Sequence, residues 1–198
     1  MKNKIKKYDV VIIGAGPAGC QCARMLADKK LKILIVDQFK DFNDNDFSSA
    51  GSPLEILNEF NLPESVIGSV WNELKIYTSK TANSWLSDKP LGVVFDFTKL
   101  KQFLLSEAKK KGCEIRLGYR FLEYELNDND LLITIENLHN SEKSKILSTI
   151  LVDATGPSRA IINPKKENCR LINAVGLEYL IKAPKDIQNY FPNALQFF

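Results

Sequence analysis

Three glycines near the start of the chain are spaced as in loops that bind phosphates. Gly14, Gly16 and Gly19 follow directly after the apolar run Asp9–Ile13 and form the pattern G-x-G-x-x-G. In this pattern the first glycine permits a tight turn, the second lets the backbone approach a pyrophosphate, and the third lets a helix pack against a strand. Asp37, at the end of the next apolar run, can accept hydrogen bonds from ribose hydroxyls. These residues predict a dinucleotide site, whereas an ordinary glycine turn would leave the acid unexplained.

A second candidate motif stands at the end of the last long apolar run. Ile146–Val152 is predicted to be a buried strand, and Asp153, Ala154, Thr155 and Gly156 follow it. At the carboxyl edge of a sheet, small residues allow a ligand to come close to the backbone. Alone the motif is an ordinary strand exit, but its place after a predicted β-meander makes it a candidate ligand contact.

The other groups that could do chemistry form no catalytic or metal-binding set. Cys20 and Cys22 lie two residues apart in a predicted helix and so point in different directions, and Cys113 and Cys169 stand alone. We expect buried, reduced thiols rather than a redox pair. His139 is the single histidine and lies in a polar turn. The sequence therefore predicts no metal site and no protein acid or base in catalysis.

The apolar runs and turn residues predict an α/β domain that positions the two motifs. Ala18–Ala27 carries helix formers between the strands Asp9–Ile13 and Lys32–Val36. Thr98–Lys111 is predicted to be an amphipathic helix that begins with Thr98 as its N-cap and ends at Gly112. Three further strands precede the second motif, and they are predicted at Glu114–Leu117, Tyr119–Leu126 and Leu131–Glu136.

The middle of the chain has a different character. Ser52 is predicted to cap a short helix over Pro53–Phe60. Short strand candidates follow, which indicate part of an antiparallel sheet inserted into the α/β unit, at Leu74–Thr78, Ser84–Leu86 and Leu91–Phe95. The aromatic residues Tyr77 and Trp85 on these strands are expected in the core more often than against a substrate. The polar loop Asp41–Gly51 would lie near the ligand crevice, where Ser48, Ser49 and Gly51 are candidate contacts.

Composition limits the classes of function. The chain has 198 residues and a net charge of +3, with lysines scattered along it, so we expect no nucleic-acid partner. The basic start MKNKIKKYDV is followed by no long apolar segment, so the sequence predicts neither a signal peptide nor a transmembrane segment. A cytoplasmic location is the default expectation, and the oligomeric state is left open.

The order of these parts resembles the family of geranylgeranyl reductases and aromatic-ring hydroxylases, which are FAD-dependent oxidoreductases. Three segments between Tyr8 and Arg159 carry the resemblance, namely VVIIGAGPAGC, DFTKLKQFLLSEAKKKGCEI and VDATGPSR. The resemblance implies a three-layer, Rossmann-like FAD/NAD(P)-binding domain with a β-meander and a partial antiparallel substrate sheet. The FAD-binding domain would comprise residues 1–70 and 96–160, and the substrate sheet residues 71–95 and 171–198.

The family resemblance also implies roles for particular residues. Phe121 would present its backbone to the adenine, FSSAGSPLE would close over the flavin end, and Phe97 stands where the family usually has an arginine. A third family motif lies beyond residue 198, so the chain is expected to be a fragment or a shortened form. The implied cofactor contacts are Gly14, Gly16, Pro17, Ala18, Gly19, Asp37, Phe121, Thr155 and Gly156.

The function implied by the resemblance is hydride transfer through a flavin. FAD would take hydride from NAD(P)H and pass it to a small-molecule substrate, either an unsaturated compound such as an isoprenoid or an aromatic ring. Two alternatives stay open at this point. One is an inactive dinucleotide-binding remnant, and the other is an NAD-dependent dehydrogenase, against which the predicted meander argues.

Overall fold

The computed structural model of the chain describes residues 5–43, 51–163 and 194–197. These residues divide into two units: 5–43 with 101–163, and 51–100 with 194–197. The predicted domain boundaries at residues 70 and 96 differ from this division, and the roles assigned to the two domains stay a prediction. Among the described helices, none has both the length and the apolar character needed to cross a bilayer.

The first unit is built on one six-stranded sheet. Its elements in chain order are β1 (Lys6–Ile13), α1 (Pro17–Leu26), β2 (Ile33–Asp37), β8 (Glu114–Leu117), β9 (Tyr119–Asn127), β10 (Asp130–Asn137) and β11 (Lys143–Asp153). The strand order is β8-β2-β1-β11-β10-β9. Strands β8, β2, β1 and β11 run parallel, whereas β9, β10 and the first half of β11 form an antiparallel meander. The predicted α/β fold class is confirmed.

The centre of this sheet is buried because β1 and β2 are apolar on both faces. Val10–Ile13 and Ile33–Val36 are buried without interruption, as expected for inner parallel strands. Residues of β1, β2 and the meander pack into one core, which is formed by Tyr8, Val11, Ile13, Leu34, Val36, Ile133, Ile135 and Ile146. The strands β1 and β11 are in register with Ile13 opposite Asp153, so the two predicted motifs leave the sheet at the same edge.

Helix α3 (Phe97–Lys110) begins one residue earlier than predicted. Thr98 is not its N-cap, because the carboxylate of Asp96 accepts the N–H of Lys99 at 3.0 Å and the Asp96 carbonyl accepts the first helical bond. An aspartate accepts such bonds better than threonine does. The predicted end is confirmed: Gly112 has φ +95°, and the N–H groups of Gly112 and Cys113 bond back to the last helical turn.

The second unit contains two small sheets where the sequence predicted one. Its elements are β3 (Gly51–Pro53), α2 (Ile56–Glu59), β4 (Ile67–Trp71), β5 (Glu73–Tyr77), β6 (Ala82–Leu86), β7 (Gly92–Phe95) and β12 (Ala194–Phe197). One sheet has the order β12-β5-β6 and the other β3-β7-β4. Strand β7 therefore does not join the β5–β6 hairpin. The predicted strand Ala174–Ile181 lies outside the described residues.

Two predictions for this second unit were wrong in detail. Ser52 and Pro53 form an edge strand against Val93 and Gly92 rather than starting a helix, because Pro53 can occupy a strand edge without losing a ladder bond. Trp85 is 52% exposed, and all of β6 is exposed, so this tryptophan is not in the core. Alternation in a short strand does not reveal which face is covered.

A charged cluster at the edge of the first sheet couples stability to pH. Glu114 on β8 forms ion pairs with Lys6 and with Arg116, the latter at 2.9 Å, and Arg116 also contacts the Tyr8 hydroxyl at 3.2 Å. Partial burial opposes ionisation of Glu114. Hydrogen bonds from Lys6, Tyr8 and Arg116 outweigh that burial and lower the pKa of Glu114 from 4.5 to about 2.

We expect this cluster to contribute stability that is lost in acid. Because the folded pKa is depressed, the contribution is complete above pH 4.5 and disappears as the pH falls through about 2. With the Glu114 side chain 31% exposed, solvent screening reduces the effect to about 1–2 kcal/mol. Urea unfolding at pH 5 and pH 3 should show a smaller acid-induced loss for Glu114→Gln than for the unsubstituted chain. Equal losses would contradict the role of this carboxylate.

Candidate dinucleotide site

The glycine loop between β1 and α1 is packed against the backbone of the second motif. Gly14 has φ +108°, and a Cβ atom placed there would lie 2.2 Å from the carbonyl oxygen of Ala154. A Cβ on Gly19 would lie 1.9 Å from the carbonyl oxygen of Gly14. Neither position has room for a side chain, because the neighbouring backbone of the protein itself occupies that space. Ala154 is held beside these two glycines because its N–H donates a hydrogen bond to the Ile13 carbonyl at 2.8 Å.

Gly16 differs from its two neighbours because it faces open space. A Cβ atom at Gly16 would meet nothing within 4 Å. Its backbone, with φ −67° and ψ 178°, is extended and acceptable to any residue. The absence of a side chain at Gly16 is thus not needed for packing, and it leaves room for a ligand to reach the backbone.

The N-terminus of α1 is suited to an anionic group. Gly16 is the N-cap, Pro17 opens the helix, and neither a capping side chain nor an acidic residue occupies the first turn. The first N–H groups of a helix lack partners within it, and the helix dipole places positive charge there. Ala18 and Gly19 contribute the first backbone donors of this turn. A pyrophosphate fits this cradle, since it would supply the missing acceptors.

Asp37 joins the end of β2 to the glycine loop. Its Oδ2 accepts the N–H of Ala15 at 2.5 Å, and its Oδ1 accepts the N–H of Phe39 at 2.8 Å. Each carboxylate oxygen has a second lone pair, so ribose hydroxyls can still donate to Asp37. The carboxylate thus fixes the loop in addition to the ligand role that the sequence predicts.

The second motif is held by Asp153, which the sequence placed in the motif but not among the expected cofactor contacts. Asp153 Oδ1 accepts the Thr155 hydroxyl at 2.6 Å and its N–H at 3.0 Å, while Oδ2 accepts the N–H groups of Ile161 and Ile162, both at 3.0 Å. Burial alone would raise the pKa of Asp153, but these hydrogen bonds prevail and lower it. The Thr155 hydroxyl also accepts the N–H of Ala160 at 2.9 Å, so its main hydrogen bonds are internal.

The remaining predicted contacts lie on the same unit. Gly156 has φ +62°, and a Cβ there would meet nothing within 4 Å, so its requirement for glycine is conformational. Phe121 pairs with Ile135 across β9 and β10, next to a β-bulge, and packs against the core of the sheet. Hydrogen bonds and close packing bring Gly14, Gly19, Asp37 and Ala154 together. Within the described residues, Phe121 packs against the core of the sheet and takes no part in these contacts, while Ser48 and Ser49 lie outside the described residues.

Among the described residues, the cysteines are reduced, and His139 lies in a turn. Burial raises the pKa of Cys20 to about 12 and that of Cys113 to about 11, so both stay protonated at neutral pH. Neither they nor Cys22 form a disulfide, whereas Cys169 lies outside the described residues. His139 lies in a turn, where its backbone N–H donates a hydrogen bond to the side-chain oxygen of Asn137. In the described part of the chain no group of acidic, cysteine and histidine side chains could hold a metal ion.

Comparison with known proteins places this site in context. Residues 8–80, which include the glycine loop and Asp37, match the family described as pyridine nucleotide-disulphide oxidoreductase. The chain is 28% identical over 180 residues to the digeranylgeranylglycerophospholipid reductase of Haloferax volcanii, an alignment that covers 87% of this chain. The predicted resemblance to geranylgeranyl reductases is confirmed. The alignment covers 42% of the Haloferax protein, so the chain spans less than half the length of this relative.

Solved structures show the same fold. A geranylgeranyl bacteriochlorophyll reductase-like protein from Thermoplasma acidophilum matches with a TM-score of 0.68 and 23% identity, over 76% of this chain and 40% of the other. The myxobacterial chondrochloren halogenase, a variant of the FAD-dependent halogenases, matches with a TM-score of 0.64 and 13% identity, over 79% of this chain and 39% of the other. Both are likenesses of fold alone, and they agree with the FAD/NAD(P)-binding fold that the sequence predicts.

Proposed function

We propose that this chain binds FAD in the crevice formed by the glycine loop, Asp37 and the second motif, as part of an oxidoreductase. The observation that carries the proposal is the difference among the three glycines. Gly14 and Gly19 are needed for packing, whereas the space in front of Gly16 is empty and adjoins the helix N-terminus. Such a cradle is suited to a pyrophosphate that lies against the backbone.

Different residues of the chain would bind different parts of the cofactor. The N–H groups of Ala18 and Gly19 would bind the pyrophosphate, and Asp37 would accept hydrogen bonds from the adenosine ribose. Thr155, with its hydroxyl held by Asp153, would line the cofactor mainly through its backbone, and Gly156 would follow it. Phe121 is proposed to present backbone groups to the adenine. When bound, FAD would supply the hydride transfer, and the protein would orient the cofactor and exclude water from it.

The relatives suggest the class of substrate. The Haloferax relative is named a digeranylgeranylglycerophospholipid reductase, and the Thermoplasma structure is described as geranylgeranyl reductase-like. We propose that NAD(P)H reduces the flavin and that the substrate is an unsaturated isoprenoid chain. Hydroxylation of an aromatic ring is the second candidate, because a p-nitrophenol 4-monooxygenase from Pseudomonas putida has the same fold.

A visible absorption spectrum tests the proposal. We expect the purified chain, incubated with FAD and then freed of unbound cofactor, to retain flavin bands, and NADPH or NADH to bleach them under anaerobic conditions. Riboflavin, which lacks the pyrophosphate and adenosine, is the matched control and should be washed away. Absence of retained FAD would contradict the site. Retained flavin that neither nicotinamide reduces would indicate a binding module instead.

A further inference from the structure

Helix α3 carries a lysine on its buried side. Only 3% of the surface of Lys101 is exposed, and Leu100, Leu104 and Leu105, within one turn along the same helix, are buried as well. An ammonium group is seldom buried to this extent, because its removal from water is costly unless polar partners surround it. A methionine would fill the same space without that desolvation cost. The buried ammonium group therefore indicates a role that depends on its charge or on its hydrogen bonds.

The lysine reaches the segment that follows Asp37. Nζ of Lys101 donates a hydrogen bond to the carbonyl oxygen of Phe42 at 3.3 Å and lies 5.2 Å from the centroid of the Phe42 ring. Both the carbonyl dipole and the ring face attract a cation. Lys101 therefore holds the main chain and the side chain of Phe42 together.

Residues 38–43, here called the flanking segment, are anchored at three points. Near its start, the N–H of Phe39 bonds to the Asp37 carboxylate at 2.8 Å. The carbonyl of Phe39 then accepts the N–H of Gly118 at 2.9 Å, which ties the segment to the turn between β8 and β9. Lys101 supplies the third anchor, at Phe42, from a regular helix.

We propose that Lys101 is a positioning residue for the adenosine end of the dinucleotide site. By holding Phe42, it fixes the flanking segment next to the carboxylate that receives the ribose. This inference rests on the proposed function, since it assigns the ribose to Asp37. Lys101 does not touch the cofactor in this proposal and acts through the segment that it anchors.

Substitution of Lys101 by methionine tests this anchor in the full chain. Lys101→Met keeps the length of the side chain and removes its charge. We expect amide hydrogen exchange in residues 38–43 to become at least about tenfold faster, and ADP to bind about tenfold more weakly, because the segment must be ordered on binding. The thermal midpoint should stay within about 4 °C of the unsubstituted value, since methionine packs well in this position.

Lys109→Met, at an exposed position of the same helix, is the matched control and should leave both measurements unchanged. Unchanged exchange in the flanking segment, or unchanged ADP affinity of the folded Lys101→Met chain, would overturn the positioning role. A fall in the thermal midpoint with faster exchange throughout the unit would assign Lys101 a general structural role instead. Failure of the unsubstituted chain to bind ADP would overturn the dinucleotide site itself, a result separate from the exchange measurement.

Discussion

A chain with Gly16→Val is expected to fold and to lose FAD. The backbone at Gly16 suits a valine, and its Cβ would meet no protein atom within 4 Å, so the substitution should cost about 1 kcal/mol as a poorer N-cap. The branched side chain would fill the space through which a pyrophosphate reaches the N–H groups of α1. Loss of these charge-assisted hydrogen bonds should weaken FAD binding at least about 100-fold.

Equilibrium dialysis with FAD and thermal unfolding measure the two effects separately. Gly16→Ala offers a graded control, with less bulk in the same place and a smaller expected loss of affinity. Gly112→Ala is a second control. Gly112 also faces open space, but it ends α3, far from the glycine loop in sequence. The Gly112→Ala chain should therefore lose stability and still bind FAD. A Gly16→Val chain that binds FAD as tightly as the unsubstituted one would refute the assignment of the cradle.

Gly19→Ala is expected to have the opposite consequence, a loss of stability. A single methyl group at Gly19 would lie 1.9 Å from the carbonyl oxygen of Gly14 and 3.1 Å from the side chain of Ala154. These neighbours are mostly backbone in the centre of the unit, so α1 would have to move away from β1 and β11. We expect about 3 kcal/mol of lost unfolding free energy, at the upper end of the range for overpacked sites.

Urea unfolding of Gly19→Ala and Gly16→Ala compares the same chemical change at two positions three residues apart. Only the first substitution should move the midpoint substantially. Similar midpoints for both chains would show that the close packing of Gly14, Gly19 and Ala154 is not what limits these positions. The two glycine predictions together separate the position where a side chain would disturb folding from the position where it would block the ligand.

The sequence predicted the first unit well because its signals are local. The glycine spacing, the apolar runs of β1 and β2 and the position of Gly112 each determine structure within a few residues. The second unit was predicted less well. Its strands are short and half exposed, so hydrophobic alternation did not show that β7 pairs with β3 and β4, or that Trp85 faces outward.

In the candidate site, the sequence by itself determined which residue types stand at the two strand ends. Gly14, Gly16, Gly19 and Asp37 could be selected because a phosphate cradle requires these residues at this spacing. Only the tertiary structure decided how they are used. Parallel pairing of β1 with both β2 and β11 brings Asp37 to Ala15 and Ala154 to Gly14, and α3 brings Lys101 to Phe42. These contacts join residues that are distant in sequence. They depend on the order of the strands in the sheet, which no local sequence pattern encodes.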